Sequence, residues 1–381
     1  MPENHKNKSL IKPIALYPNR HGRRRWIIIS LVVITLTLIG FMRIYRRYDA
    51  ILVTSDATYP TPTDPYADYT VAILGFGGPQ HEGGYLTDTI IISRISPRNK
   101  MISLIAIPRD VWIQFPLFDP PLFYKINAAY TLGRDQLHYP NKPKRYQGKA
   151  GGGNLAKDTL AEIVGFPIDY FAAISFNGFT KSIDTLSGID VSVPESFDDE
   201  FYPIESEKNN LCGKSDDEVA SLSATLSATL LEEAFPCRFE HIHFDRGITH
   251  MDGETALKFV RSRKSKTSGG DHNRNLRQEA VLKALREKIV SINFIPKAIP
   301  FITTLTNDMQ TDLSIDTIRK KLEISADIDR YTIQTIDISD TSLFMESRSD
   351  DGQYIFIPTA GIGNWNKIHD SIGSQLNQSE N

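Results

Sequence analysis

YTVAILGFGGPQHEGGYLTDTIIISRISPRNKMISLIAIPRD, Tyr69 to Asp110, decides the fold. It holds three short runs rich in Ile and Val: YTVAILGF, DTIIISRI and KMISLIAI. Gly, Pro and Asn separate them, and Pro108 and Arg109 close the last. Runs of this length and composition between turn residues read as strands. Beyond them, GNLAKDTLAEIVG has helical spacing, with Leu155, Leu160, Ile163 and Val164 on one side and Gly165 as the stop. DYFAAISF is a further strand, NGFTKSIDTLSG a short helix and IDVSVP a strand. This alternation predicts an α/β fold, a central mixed β-sheet flanked by helices.

Toward the C-terminus, the Ser- and Ala-rich stretch from Leu211 to Leu231 reads as an insertion. MDGETALKFVRSR is a helix running into a basic cluster. A long helix from Asn275 to Ile292 follows, with Leu276, Ala280, Ala284, Leu285, Ile289 and Ile292 expected to face inward. TDLSIDTIRKKLEISADI looks helical and DGQYIFIP looks like a strand. The stretch from Phe301 onward either packs on the core or forms an accessory unit. No repeat is evident.

Toward the N-terminus, WIIISLVVITLTLIGFM, Trp26 to Met42, is 17 residues without a charge. As a helix it would span about 26 Å, close to the apolar thickness of a bilayer. Seven Lys or Arg precede it and three follow, so the short tail is expected in the cytoplasm and the rest outside. No small-residue cleavage site follows, which disfavours a removed signal peptide. The expected organisation is a basic tail (1–25), a transmembrane helix (26–44), a Pro-, Thr- and Asp-rich extracellular linker (45–68), a folded domain (69–293) and a mixed extension (294–381).

The 381 residues are 40% hydrophobic and 23% charged, with a formal net charge of −3. A general nucleic-acid binder would carry a basic surplus. A cytoplasmic part of about 25 residues is too small for a DNA-reading domain. Two cysteines, Cys212 and Cys237, are too few for a disulfide framework. Whether they pair depends on the redox compartment and is open on spacing alone.

The charge that matters is local. FVRSRKSKTSGGDHNRNLRQ, Phe259 to Gln278, carries six basic side chains between Arg261 and Arg277 against one acid, Asp271. Arg274 and Arg277 share one face of the helix that starts near Asn273, with Gln278 beside them. Arginine at a helix N-terminus is electrostatically unfavourable unless an anion sits in front of it. Gly269 and Gly270 would let the backbone approach that anion. Arg261 and Arg263 cannot share a helix face, so the chain leaves helical geometry there. A solvated basic face is the ordinary meaning of a charge run. Arginine outnumbering lysine, the helix start and the glycines favour a phosphate site instead.

Other motifs are weaker. LGFGG is no dinucleotide fingerprint, since no helix follows it. GKAGGGN lacks the Gly-Lys-Ser/Thr order of a phosphate loop. No zinc spacing and no nucleophile elbow is present. Asp88 stands at the mouth of a very apolar strand, as an end-cap or a metal ligand. Arg109 follows a strand at a Pro break beside Asp110, where the plain alternative is a local ion pair.

Four stretches in order carry a resemblance: LTDTIIISRISPRNKMISLIAIPRDVWI, KINAAYTLG, GFPIDYFAAISFNGFTKSIDTLSGIDVSVP and MDGETALKFVRSRKSKTSGGDHNRNLRQEAVLKAL. Together they resemble the LytR–CpsA–Psr family, over roughly Tyr69 to Ile292. The resemblance implies a magnesium-assisted phosphotransferase anchored in the cell membrane. It would move a glycopolymer from a polyprenyl-pyrophosphate carrier to peptidoglycan, with the lipid tail in an apolar channel. It implies that Asp88 binds the metal and is catalytic, together with Arg109. It further implies that Arg261, Arg263, Asp271, Arg274, Arg277 and Gln278 bind the pyrophosphate. Two positions depart from the family pattern: Gly77 where an acid is usual, and Leu86 where an arginine is usual. His81 and Glu82, in the loop between, are candidates to compensate. A lipid-binding protein without chemistry, or a pyrophosphatase using water, are the alternatives.

Overall fold

Ile and Val crowd the three opening runs. In the computed structural model each is a strand: β1 (Tyr69–Phe76), β2 (Thr87–Ser96) and β3 (Met101–Ala106). The structure describes residues 52, 64–79, 81, 83–291, 301, 305, 308–325, 330–336, 338 and 340–378. A hairpin, β4 (Trp112–Phe115) with β5 (Leu122–Lys125), and a short helix, α1 (Ala129–Arg134), lead to α2 (Gly151–Val164). Next come β6 (Tyr170–Ser175), α3 (Phe176–Thr185), β7 (Ile189–Val193) and β8 (Phe197–Pro203). The insertion forms α4 (Asp216–Thr225) and α5 (Ala228–Glu233). The chain returns through β9 (Phe239–Phe244) and β10 (Gly247–Met251) to α6 (Gly253–Arg261) and α7 (Gly270–Ser291). The remainder supplies β11 (Met309–Thr311), α8 (Ile315–Ile324), β12 (Thr332–Ile336), β13 (Phe344–Arg348), β14 (Tyr354–Pro358) and α9 (Asn366–Gln378).

The central sheet is mixed, in the order β11-β6-β1-β2-β3-β12. β1 runs parallel to β6 and β12 parallel to β3, while the other neighbours are antiparallel. Its strands are apolar on both faces because both are covered. On one face Leu74, Ile92, Ile105 and Phe171 pack with Leu155 of α2 and Ile368 of α9. Over the other, Val191, Phe197, Phe259 and Val281 form a second core among β7, β8, α6 and α7.

The glycines of GKAGGGN serve this packing. A Cβ at Gly151 would lie 2.2 Å from the Tyr146 carbonyl oxygen, and one at Gly153 2.1 Å from the Phe171 ring. The triplet therefore seats the start of α2 against its neighbours, and α2 begins two residues earlier than its apolar spacing suggests.

Three further findings refine the sequence reading. Leu276, expected inside, is 39% exposed, while Arg274 and Arg277 of the same helix are buried. The inward face of α7 is thus partly polar. The side chain of Ile289 and all of Ile292 lie outside the described residues. Second, both edge strands of the sheet, β11 and β12, come from beyond residue 301, so that stretch packs on the core. Third, Cys212 and Cys237 are joined by a disulfide that closes the insertion at its base. The expected tail (1–25) and transmembrane helix (26–44) lie outside the described residues. Among the described residues no helix is long and apolar enough to cross a membrane.

A buried ion pair fastens the C-terminal stretch. Lys157 Nζ of α2 lies 2.5 Å from Asp312 Oδ2, with the side chains 6% and 5% exposed. Asp312 Oδ1 also accepts from the Phe171 backbone N–H at 2.8 Å. Asp312→Ala would strand a buried ammonium and is expected to destabilise the fold by about 3–5 kcal/mol, read as a lowered urea midpoint.

Candidate active site

Helix α6 stops at Arg261, and Ser262 turns out of helical geometry with ψ 132°. What shapes the next residues is Asp199, on the inward face of β8 and only 1% exposed. Ser262 Oγ donates to Asp199 Oδ2 at 2.7 Å, and the Arg263 and Lys264 backbone N–H groups donate to the same oxygen at 3.1 Å. The Phe201 N–H donates to Asp199 Oδ1 at 3.0 Å. A buried carboxylate thus holds the basic loop in one conformation. The sequence reading missed it, although the run FDDEF places Phe197 and Asp199 on the same side of a strand.

Arg277 belongs to this scaffold. It is 3% exposed, its guanidinium lies 4.7 Å from the centre of the Phe197 ring, and it donates to the Ser268 carbonyl at 2.9 Å and to that of Ser262. Burial pushes its pKa down to about 10, against the pull of Asp199 and Glu195. It therefore stays charged at neutral pH. It ties the two ends of the loop together and does not line the basic cavity.

The other predicted residues come together. A cavity of about 190 Å³ is lined by Asp88, Arg109, Arg261, Arg263, Lys264 and Arg274, among others. Its lining holds five cationic side chains and two carboxylates, Asp88 and Asp199. Arg261 is braced by aromatics: its guanidinium lies 4.4 Å from the Phe176 ring centre and donates to Tyr202 Oη at 3.4 Å. Asp88, at the start of β2, pairs with Arg109, which follows β3. The antiparallel register brings those strand ends side by side. Arg109 Nε is 3.5 Å from Asp110, which Lys125 holds at 2.8 Å. Gln278 does not line this cavity; it donates to Oγ1 of Thr89, which does, at 3.2 Å. The side chain of Asp271 and all of Glu82 lie outside the described residues.

A second cavity, of about 290 Å³, adjoins the first. It lies between the sheet and the helices above it, lined by Ile73, Ile91, Ile174, Val281, Leu282 and Leu285 among others. Thr89, Phe176, Val260 and Arg261 line both cavities. An anion-attracting chamber that shares four wall residues with an apolar one suits an amphiphile with a phosphate head and a hydrocarbon tail.

Among the described residues, no group of three or more His, Cys, Asp or Glu is placed to hold a metal. Asp88 is one carboxylate beside an arginine-rich chamber. That donor set fits Mg²⁺ as it is bound with phosphate ligands, through one or two carboxylates and the substrate's own oxygens.

Residues 44–367 match the model of the LytR_cpsA_psr family, and the chain belongs to it. The polyisoprenyl-teichoic acid–peptidoglycan teichoic acid transferase TagV of Bacillus subtilis (strain 168) is 25% identical over 290 residues, 76% of this chain and 60% of TagV. The chain thus matches less than two thirds of that relative's length. The like-named transferase TagU of Oceanobacillus iheyensis is 26% identical over 331 residues, 83% of this chain and 86% of TagU. The crystal structure of B. subtilis TagV superposes with a TM-score of 0.53 at 24% identity, covering 82% of this chain and 98% of that one. That likeness concerns the fold.

Asp199→Ala would leave the Ser262 hydroxyl and two backbone N–H groups without their acceptor. It is expected to cost about 1–3 kcal/mol in a thermal melt, and to weaken inorganic pyrophosphate binding by about tenfold in calorimetry.

Proposed function

We propose that this protein is a membrane-anchored transferase that moves a glycopolymer phosphate from a polyprenyl-pyrophosphate carrier to a peptidoglycan hydroxyl. The observation that carries this reading is the joined pair of cavities, one cationic and one apolar, sharing Thr89, Phe176, Val260 and Arg261. The names of the relatives TagV and TagU, polyisoprenyl-teichoic acid–peptidoglycan transferases, support the same donor and acceptor classes. The charge asymmetry around residues 26–44 supports a single-pass anchor with the tail in the cytoplasm and the folded domain outside. The Cys212–Cys237 disulfide suits an oxidising compartment.

Transfer joins an acceptor oxygen to the phosphorus that bears the glycan and breaks the bridging P–O bond, so polyprenyl phosphate leaves. Such a step needs positioning and charge neutralisation more than covalent help. Arg261, Arg263 and Arg274 would hold the diphosphate oxygens, and Arg109 would fix the Asp88 carboxylate. Mg²⁺, held by Asp88 and the diphosphate, would supply further neutralisation of the developing charge. The apolar cavity would keep the leaving lipid in place while the headgroup reacts. With water as acceptor the same site would act as a pyrophosphatase. A lipid-binding role without chemistry would use the same two cavities.

The full chain in detergent, given a polyprenyl-pyrophosphate oligosaccharide, Mg²⁺ and a peptidoglycan fragment, is expected to form a sugar–phosphate–sugar linkage seen by mass spectrometry. Asp88→Ala is expected to lower that turnover at least about 100-fold while the donor still binds. Free glycopolymer phosphate alone would mean hydrolysis, and donor binding without any product would mean a binding protein. Leu285→Arg, which sets a charge in the apolar cavity, is expected to weaken long-chain donors while leaving inorganic pyrophosphate within about twofold.

A further inference from the structure

The loop between β1 and β2 is built to hold one side chain. The Gly78 N–H donates to the Gly84 carbonyl at 2.9 Å, His81 N–H to Gly78 at 3.0 Å, and Gly84 N–H to His81 at 2.9 Å. Gly78 and Gly84 take φ of 101° and 50°, which glycine alone adopts cheaply. Both backbone groups of His81 are thereby fastened. Gly77 has a different reason to be glycine. A Cβ there would lie 2.5 Å from His81 Cβ and 2.7 Å from Cγ, so the absent side chain is what makes room for the imidazole.

That imidazole is braced on two more sides. It stands at right angles to Phe176, with ring centres 5.2 Å apart, and Phe176 carries Arg261 at 4.4 Å. His81 Nε2 lies 3.1 Å from Glu205 Oε2. The charged groups acting on the ring are Arg261, Glu205, Asp88 and Lys208. His81 therefore packs on Phe176, itself a wall of the basic cavity, from an element none of the arginines uses.

We propose that His81 is the base that receives the proton of the acceptor hydroxyl, with Glu205 positioning its ring. The inference rests on the transferase reading. If Nε2–H donates to Glu205, the lone pair lies on Nδ1. As the acceptor oxygen bonds to phosphorus and the bridging P–O bond breaks, the hydroxyl proton passes to Nδ1. Asp88 already has a partner in Arg109 and, on the transferase reading, a metal to hold. Burial, then the charge of Arg261, lowers the His81 pKa, while Glu205 and Asp88 raise it. The net shift is downward, so the ring is neutral and able to accept a proton at neutral pH.

The test is the initial rate of transfer by the full chain between about pH 5 and pH 9. His81→Ala is expected to cut turnover about 100-fold with the donor KM unchanged. Gly77→Ala, which pushes the imidazole away while keeping it, is expected to lose activity in the same way. Glu205→Gln removes a charge that raises the His81 pKa, so the acid limb of the rate profile should move to lower pH. A structural role alone would lower the rate without moving that limb. Wild-type turnover in His81→Ala, or an unmoved limb in Glu205→Gln, overturns the proposal while leaving the transferase reading intact. A wild-type chain that binds donor but forms no transfer product removes that reading, and this inference with it.

Discussion

The site depends on a buried carboxylate. Asp199, turned inward from β8, gathers the hydroxyl of Ser262 and the N–H groups of Arg263 and Lys264 onto one oxygen. Without it, the Ser262 hydroxyl and two backbone N–H groups between α6 and α7 would lose their shared acceptor, at the point where Arg263 turns toward the basic cavity. Arg277 completes the closure by donating to carbonyls at both ends of the same loop. The energy stored in this arrangement is that of a fully used buried acceptor, which is large only because leaving it unfilled is expensive.

A second constraint is that the sheet is apolar on both faces. One face carries the core shared with α2 and α9. The other is packed only in part, so Ile73, Ile91 and Ile174 wall a chamber in place of meeting a helix directly. The basic loop stands over the open end of that chamber, with Phe176 and Arg261 at the junction. The two adjoining cavities thus follow from one layer being left incompletely filled.

Much of this was legible in the sequence, and the parts that were not share a cause. The first three strands, α2, β6, α3 and β7 announced themselves through apolar runs and turn residues. Asp88, Arg109, Arg261, Arg263 and Arg274 were marked by position and charge, and they share one cavity. The inward face of α7 was misjudged because its buried positions are Arg274, Arg277 and Gln278 as well as Val281 and Ala284. Hydrophobic spacing cannot find a face whose packing is partly done by guanidinium groups lying on aromatic rings. Asp199 was missed for the same reason, as an acid on the core side of a strand. The edge strand β11 is only three residues long, and β12 mixes Thr332, Gln334 and Thr335 with two Ile, so neither shows an apolar run. The role of Gly77 could not be seen without knowing that His81 folds back over it.

The central claim is that one amphiphile fills both cavities at once. The direct measurement is calorimetric affinity of the full chain for inorganic pyrophosphate, geranyl pyrophosphate and farnesyl pyrophosphate under one Mg²⁺ concentration. Burial of the tail should tighten binding at least about tenfold from inorganic pyrophosphate to geranyl pyrophosphate, and further with farnesyl. Equal affinity for all three would mean that the apolar chamber takes no tail, and would contradict the account.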